Sequence, residues 1–269
     1  MVNFDEKETY SYADLLEMIR VLRSPDGCPW DRVQTHASLR RGMLEEAYEV
    51  VEAIDRSDDD LLCEELGDVL MQVVFHASLA QDAGAFTMDD VTDRVVKKLL
   101  FRHPHVFAQE RADPPEQVLV SWDQLKRQEK GQRSTADAMD SVARSLPGLW
   151  RAEKIQSKAA KAGFDWPDAS GALEKLSEET GELREAVERQ GSVAEELGDV
   201  LFAAVKVGLT AGVDPEEALA ASCEKFIRRF RHVEEAAVRQ GKALSCMTGD
   251  ELTAQWKEAK QSEYDGSSF

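Results

Sequence analysis

The stretch that decides the fold runs from Lys175 to Gly208 and reads KLSEETGELREAVERQGSVAEELGDVLFAAVKVG. Its pattern predicts two helices joined by a short turn at 190–192, and each helix carries two carboxylates three positions apart. Side chains at this spacing share one helix face, so antiparallel packing of the two helices would bring four carboxylates together. The four acids are Glu179, Glu182, Glu196 and Asp199.

Such a cluster has two interpretations. If it is buried, two like charges about 4 Å apart repel by about 4 kcal/mol at an effective dielectric of 20, and a hard divalent cation removes that cost. If it is exposed, the acids form a solvated face, where the repulsion is about 1 kcal/mol and is screened by salt. Repetition of the arrangement elsewhere in the chain favours the first interpretation.

The same signals occur twice in the same order, at an offset of 127 to 136 positions. We therefore expect two copies of one domain, at 14–131 and 147–263, joined by a polar linker at 132–146 that lacks an apolar stripe. The paired residues are Gly27 and Gly163, Trp30 and Trp166, Glu46 and Glu179, Glu49 and Glu182, Glu65 and Glu196, Asp68 and Asp199, Lys98 and Lys225, Arg102 and Arg229, Trp122 and Trp256, and Lys126 and Lys260.

Helical periodicity dominates the rest of the chain. It predicts helices at 12–22, at about 36–55, from the acidic cap at 57–60 to Gly84, from Thr87 to about 101, and from about 113 to 129. An apolar stripe on the third of these helices is predicted to be buried; it consists of Leu62, Leu66, Val69, Leu70, Val73, Val74 and Ala77. No strand alternation of useful length occurs. The predicted class is all-α, with tandem helical bundles.

The ligand types in the acidic cluster narrow the choice of metal. Carboxylates without His or Cys suit Mg2+, with Mn2+ as the alternative, rather than zinc or copper. A di-iron bundle is disfavoured, because none of the five histidines lies three residues after a glutamate. The four cysteines have no CxxC spacing, which favours free thiols over disulfides or a zinc site.

Basic and aromatic residues follow the acids in each copy. Lys225 and Arg229 share a helix face, with Arg228 adjacent; opposite a magnesium cluster they would hold polyphosphate oxygens, and otherwise they form a solvated basic face. Trp256 is either a core or interface aromatic or, with Lys260 on the same face, a platform for a base or ribose.

Composition and missing motifs limit the function further. The formal net charge of −19 in 269 residues argues against binding to nucleic-acid backbones. No apolar run reaches the roughly 18 residues of a membrane span, and the acidic start is unlike a signal peptide, so we expect a soluble, cytoplasmic protein. Without GxxxxGK[ST], HExxH, GxSxG or GxGxxG, the favoured chemistry is a metal-activated water that attacks a phosphorus.

These motifs together resemble a known family. GCPWD at 27–31 with Gln34 and Thr35, the EExxE and ExxD pairs, KxxxR and Trp-x3-Lys resemble the two-domain MazG nucleoside triphosphate pyrophosphohydrolases over about residues 14–263. The resemblance implies tandem all-α domains, a homodimer, and hydrolysis of a nucleoside triphosphate to the monophosphate and pyrophosphate. The protein partners, if any, are not implied.

The resemblance also implies roles for individual residues. Mg2+ would be held by Glu179, Glu182, Glu196 and Asp199. Glu178 and Glu179 would be catalytic, with Glu178 a candidate to orient or deprotonate the water. The nucleotide-binding residues would be Lys175, Lys225, Arg228, Arg229, Trp256 and Lys260.

The first copy keeps a matching set of residues. Its acids are Glu46, Glu49, Glu65 and Asp68, and its nucleotide-binding residues would be Lys98, Arg102, Trp122 and Lys126. Members of the family usually carry the activity in the second copy, but the sequence gives no physical reason for a silent first copy. We therefore hypothesise that the first copy binds metal, with nucleotide binding and turnover left open.

Three alternatives compete with a broad triphosphate hydrolase that clears surplus or damaging nucleotides. A regulatory module could bind a metal-nucleotide without turning it over. An acidic helical interaction protein would have no site at all. Within enzymes, a dUTP- or dCTP-specific pyrophosphatase shares this kind of carboxylate bundle, whereas stacking on tryptophan accepts any base and favours broad specificity.

Overall fold

The structure is a computed structural model that describes residues 4–107, 125–126, 129 and 131–266. The chain divides into two compact units, Met1–Lys126 and Arg127–Phe269. Throughout the described ranges the regular structure is helical and no strand occurs, which confirms the all-α class. The domain limits expected at 14–131, 132–146 and 147–263 stay a prediction.

The first unit is built on a helical hairpin. Its helices are α1 Tyr12–Leu22, α2 Pro29–Arg32, α3 His36–Arg56, α4 Asp59–Asp82, α5 Met88–Arg102 and α6 Pro104–Phe107. Helices α3 and α4 pack as an antiparallel pair, and α1 and α5 pack on α4. Ser11, Thr35 and Thr87 begin α1, α3 and α5 with capping boxes, which satisfy backbone N–H groups that the first turn leaves without partners. The sequence therefore marks the helix starts correctly.

The core of the first unit lies where α1, α3 and the second half of α4 meet. Ile19, Leu39, Val74 and Phe75 form its buried cluster. The guanidinium of Arg23 lies 5.5 Å from the ring centroid of Phe75 and extends the cluster toward solvent. Helix α1 thus covers the carboxyl-terminal half of α4.

The apolar stripe predicted on α4 is buried only in part, so that prediction is corrected. Val74 and Ala77 are buried, but Leu66 is 51% exposed and Leu70 is 39% exposed. The reason is length, because α1 spans 11 residues and α4 spans 24, so α1 cannot cover both halves of α4. An apolar stripe shows which face avoids water, but not what covers it.

The second unit repeats the hairpin. Its helices are α7 Thr135–Asp140, α8 Gly148–Lys161, α9 Ala169–Arg189, α10 Val193–Ala211, α11 Pro215–Arg239 and α12 Gly249–Gly266, with a 3-10 turn at Leu244–Cys246 before the last. Helices α9 and α10 form the predicted pair around the turn at 190–192. Gln190 ends α9 with φ 56°, and Ser57 ends α3 with φ 52°, so the two hairpins share a left-handed cap.

The segment 132–146, expected to be a linker because it lacks a clear apolar stripe, contains helix α7. Ser134 caps α7 with a capping box, and α7 packs on α8. Ala138 is fully buried and Val142 is 7% exposed. Two apolar residues four positions apart are enough to dock one short helix, but they are too few to produce a periodic signal.

Some predictions fall outside the described residues. The helix expected from about 113 to 129 lies almost entirely there, as does Trp122, while Lys126 is exposed. Among the helices that the structure describes, none is long and apolar enough to cross a membrane.

Candidate metal and nucleotide site

In the second unit the α9–α10 hairpin brings three of the four predicted acids together. One carboxylate oxygen each of Glu179, Glu196 and Asp199 lies within 4.8 Å of the other two. Glu182 lies outside this group of ligand atoms, yet the negative charge of Glu179, then burial, then the charge of Glu196 raise its pKa. All four acids therefore belong to one electrostatic cluster.

The first unit holds the matching cluster on the α3–α4 hairpin. Oxygens of Glu46, Glu49 and Glu65 lie within 4.8 Å of one another. Burial, a hydrogen bond with Glu49 and the charge of Asp68 raise the pKa of Glu46. Oxygen-only donor sets of this kind suit a hard divalent cation, so the residues present fit Mg2+ or Mn2+ in both units.

Lys175 balances part of the charge in the second unit. Its ammonium lies 2.6 Å from Glu179 Oε1 and 2.8 Å from Glu178 Oε1. These two carboxylates raise the pKa of Lys175, so the side chain stays protonated. Glu179 is 7% exposed, whereas Glu178 is exposed. The predicted catalytic pair thus has one member inside the cluster and one at its edge, with Lys175 between them.

The raised pKa of Glu182 predicts a pH-dependent stability. A carboxyl whose pKa is higher in the folded state than in the unfolded state contributes stability at acidic pH that is lost as the pH rises through the folded pKa. In the presence of chelator, we expect Glu182→Gln to raise the Tm at about pH 7.5. At a pH below the ordinary pKa range of glutamate, the substitution should not raise the Tm. Thermal unfolding across this pH range measures both effects.

The matched control is Glu188→Gln, which removes an exposed acid from the same helix. It should leave the Tm unchanged at both pH values. Equal gains in the two variants would show that Glu182 is not repelled by its neighbours.

A pocket of about 340 Å³ adjoins the acids of the second unit. Lys175, Glu179 and Asp199 form part of its wall. The rest is mostly apolar and comes from four helices and a loop; it includes Met139, Ile155, Phe164, Trp166, Ala172, Phe202 and Ala203. The acids are thus continuous with a chamber of a size that suits one heterocyclic ring.

The sequence motifs do not indicate most of this chamber. In the sequence, Trp166 stands out only as the repeat of Trp30, and no motif includes Gln156 or Lys206. The Trp166 indole packs directly on Gly171, where an added Cβ would lie 2.2 Å from Trp166 Cδ1. One signal was present, because Lys206 interrupts the apolar run LFAAVKVG. A lysine there must be buried with a partner or must line a cavity.

Lys206 does both. It is 5% exposed, forms an ion pair with Asp165, and places its Nζ 5.8 Å from the ring centroid of Trp166. Its hydrogen bond lowers the pKa of the Asp165 carboxyl. This pair connects α10 to the loop that carries Trp166 and holds the indole as one wall of the chamber.

Larger side chains stand at the equivalent positions of the first unit. At equal sequence distances from the paired acids, Ala172 corresponds to Leu39, Ala203 to Gln72 and Lys206 to Phe75. The three residues of the first unit are larger, and all three are buried. Lys175 corresponds to Gly42. The Gln72 amide nitrogen lies 3.0 Å from the position that a Cβ on Gly42 would occupy.

The two units therefore differ in the space beside their acids rather than in the acids themselves. In the first unit, Gln72 takes the place near Glu46 that the side chain of Lys175 takes near Glu179, and Leu39 and Phe75 belong to the core. This filling distinguishes the two units in a way that their shared motifs do not.

Lys175 lines the chamber, but the other basic and aromatic residues predicted for the second unit do not. Arg228 and Arg229 line a second pocket of about 290 Å³ together with His232. Trp256 packs on Phe226 with ring centroids 5.2 Å apart, while Lys225 and Lys260 are exposed. In the first unit Lys98 and Arg102 are half-buried on α5. Nucleotide contacts for all these residues stay a prediction.

The fold and the two clusters define an all-α protein with a repeated carboxylate site. The family model described as the MazG nucleotide pyrophosphohydrolase domain matches residues 34–107 and 169–234. The chain belongs to this family of pyrophosphohydrolases. Each matched segment contains one complete set of the four paired acids.

Similar proteins match along most of the chain. The nucleoside triphosphate pyrophosphohydrolase/pyrophosphatase MazG of Thermotoga maritima is 43% identical over 93% of this chain and 95% of its own length. The nucleoside triphosphate pyrophosphohydrolase of Escherichia coli K12 is 42% identical over 93% of this chain and 97% of its own length. The uncharacterized protein YabN of Bacillus subtilis is 44% identical over 96% of this chain and 54% of its own length.

Proposed function

We propose that the protein hydrolyses nucleoside triphosphates to the monophosphate and pyrophosphate with Mg2+, or alternatively Mn2+, in its second unit. The observation that carries this proposal is the cluster of Glu179, Glu196 and Asp199 in the wall of a largely apolar pocket of about 340 Å³. The names of the relatives from Thermotoga maritima and Escherichia coli support the same reaction.

The residues of the second unit would divide the work as follows. Glu179, Glu182, Glu196 and Asp199 hold the cation, which when bound supplies a water of lowered pKa and positive charge beside the phosphates. Glu178 orients or deprotonates the attacking water at the edge of the cluster. Lys175 already bridges Glu178 and Glu179, and it neutralises charge as the triphosphate approaches.

Residues of α11 and α12 complete the substrate site in this proposal. Lys225, Arg228 and Arg229 hold non-bridging phosphate oxygens, with arginine able to do so through two parallel hydrogen bonds. Trp256 and Lys260 lie at the nucleotide. We propose a broad range of bases and a role in clearing surplus or damaging nucleotides from the cell.

We propose that the working form is a homodimer. Leu197 and Leu201 are 46% and 48% exposed, and they repeat the exposed Leu66 and Leu70 of the first unit. We expect light scattering after size exclusion to give twice the mass of one chain. Replacing Leu201→Glu places a charge in an apolar interface, and should increase the monomer fraction at least tenfold.

The control for the dimer is Val238→Glu, which changes an apolar side chain of the same unit that is 77% exposed. A monomeric wild-type protein at micromolar concentration would contradict the homodimer.

The first unit has a candidate function of its own. Its acids Glu46, Glu49 and Glu65 form a ligand group, while Leu39 and Gln72 fill the neighbouring space. We propose that this unit holds a cation without taking up a base. Calorimetric titration with Mn2+ should then lose one class of sites in Glu65→Ala/Asp68→Ala, with turnover retained.

Turnover distinguishes the enzyme from a nucleotide-binding module. Purified protein with Mg2+ is given a large molar excess of ATP, dTTP or dUTP, and triphosphate and pyrophosphate are followed with time. Consumption of many equivalents supports the enzyme. Saturable binding with no consumption of any of the three would favour the binding module, and consumption of dUTP alone would favour a nucleotide-specific enzyme.

A further inference from the structure

Two buried polar side chains line the otherwise apolar part of the pocket, and the proposed hydrolysis uses neither. Gln156 on α8 is 6% exposed, and Lys206 on α10 is 5% exposed. Buried polar groups in proteins nearly always have hydrogen-bond partners. The donor and acceptor atoms of these two side chains therefore indicate what kind of ligand edge the pocket accepts.

The amide of Gln156 has a fixed orientation. Its Nε2 donates a hydrogen bond of 2.7 Å to the main-chain oxygen of Phe202. The flipped amide would bring two acceptor oxygens together, so this assignment follows from the contact itself. Within the described part of the chain, the buried Oε1 of Gln156 has no hydrogen-bond partner. A residue of the pocket wall therefore carries a buried acceptor that lacks a donor.

Lys206 supplies the complementary group. A lysine ammonium has three donors and no acceptor, and the side chain of Lys206 is paired with Asp165. The same ammonium lies 5.8 Å from the ring centroid of Trp166, an indole that packs on Gly171. The pocket thus combines a flat aromatic wall, a cationic donor and a neutral acceptor. A planar heterocycle with both an acceptor and a donor on one edge matches this set.

We propose that the pocket receives the nucleobase and favours a lactam edge, in which a ring N–H lies beside a carbonyl. The ring N–H would donate to Gln156 Oε1, and the carbonyl oxygen would accept from Lys206 Nζ. Uracil, thymine, guanine and hypoxanthine carry this edge. This inference rests on the proposed function, because the triphosphate substrate is what brings a base to the pocket.

Adenine and cytosine present the opposite pattern. Their unprotonated ring nitrogen would face the oxygen of Gln156, and their amino group would face the ammonium of Lys206. In this buried space, one acceptor would then face another acceptor, and one donor would face another donor. A site built to pair with specific polar groups rejects a ligand that leaves them unpaired. The protein would still hydrolyse such nucleotides, but less efficiently.

Two matched pairs of substrates test the proposal. ITP and ATP differ only at the 6-position edge of the purine, and UTP and CTP differ only at the 4-position edge of the pyrimidine. We expect kcat/KM to be at least about tenfold higher for ITP than for ATP, and for UTP than for CTP. Because each ratio compares two substrates on one protein, a partly destabilised variant still gives a valid ratio.

Lys206→Met and Gln156→Leu should each bring both ratios toward one. Lys154→Met removes an exposed lysine of α8 that does not line the pocket, and it should leave both ratios unchanged. Ratios near one in the wild-type protein, or ratios unchanged in both pocket variants, would overturn the lactam preference while the hydrolase stands.

If no triphosphate is turned over, the proposed hydrolysis fails, and the inference is then tested by binding. Calorimetry with Mg2+ and the same four nucleotides should give at least about tenfold tighter binding of ITP than of ATP. Equal affinities would overturn the proposal.

Discussion

Replacing Glu179→Gln is expected to lower the Mg2+-dependent turnover of triphosphate by about a thousandfold, the size expected when a central electrostatic contact of an active site is lost. Glu179 is the buried member of the acidic group in the second unit, lies within 4.8 Å of oxygens of Glu196 and Asp199, and contacts Lys175. Glutamine keeps the shape of the side chain but removes its charge. Initial rates at saturating Mg2+ measure the loss.

Glu46→Gln is the matched control, because Glu46 holds the equivalent position in the first unit. It should keep at least about half of the wild-type rate, since its neighbours fill the space that a base would need. Equal losses in the two variants would mean that both units are active. A fully active Glu179→Gln would show that the chemistry lies elsewhere. In chelator, Glu46→Gln should unfold at or above the wild-type Tm, because burial and the neighbouring acids raise the pKa of Glu46.

Placing the larger side chains of the first unit at the equivalent positions of the second unit is expected to close the chamber. In Ala172→Leu/Ala203→Gln, two small residues of the wall become the larger residues that the first unit has at Leu39 and Gln72. We expect kcat/KM to fall roughly tenfold to a hundredfold, which is the loss when one base no longer stacks on an aromatic residue. The fall should come mainly from a higher KM.

The same helices offer a control for this transplant. Ala204→Gln adds the same side chain at the next position of α10, where the residue is exposed and does not line the pocket. Its kcat/KM should be that of the wild type. Mn2+ binding should also be unchanged in the double variant, because all four acids remain. An unchanged kcat/KM in the double variant would show that the base binds outside this chamber.

The acids and helices could be predicted because their signals are local. Glu179 and Glu182 share a face through spacing alone, and a capping residue such as Thr35 marks a helix start within four positions. Because the same motifs occur twice in the same order, the acids and helices of one copy could be matched to those of the other. These parts of the site needed no knowledge of tertiary packing.

The chamber could not be predicted in the same way. Met139, Gln156, Trp166 and Lys206 come from separate segments, and no spacing relates them. The difference between the two units was also hidden, because it lies in side-chain volume at positions such as Ala172 and Leu39 rather than in the acids. Only the packed structure shows that one set of acids adjoins a cavity, whereas larger buried side chains lie beside the other set among the described residues.

In the function that we propose, a divalent cation held by the second acidic cluster promotes cleavage of triphosphate to monophosphate and pyrophosphate. The most direct test is phosphorus NMR of ATP incubated with the protein, first in chelator and then with Mg2+ in excess. We predict no reaction in chelator, and AMP with pyrophosphate as the only products after Mg2+ is added. Formation of ADP with inorganic phosphate, or an equal rate in chelator, would contradict the account.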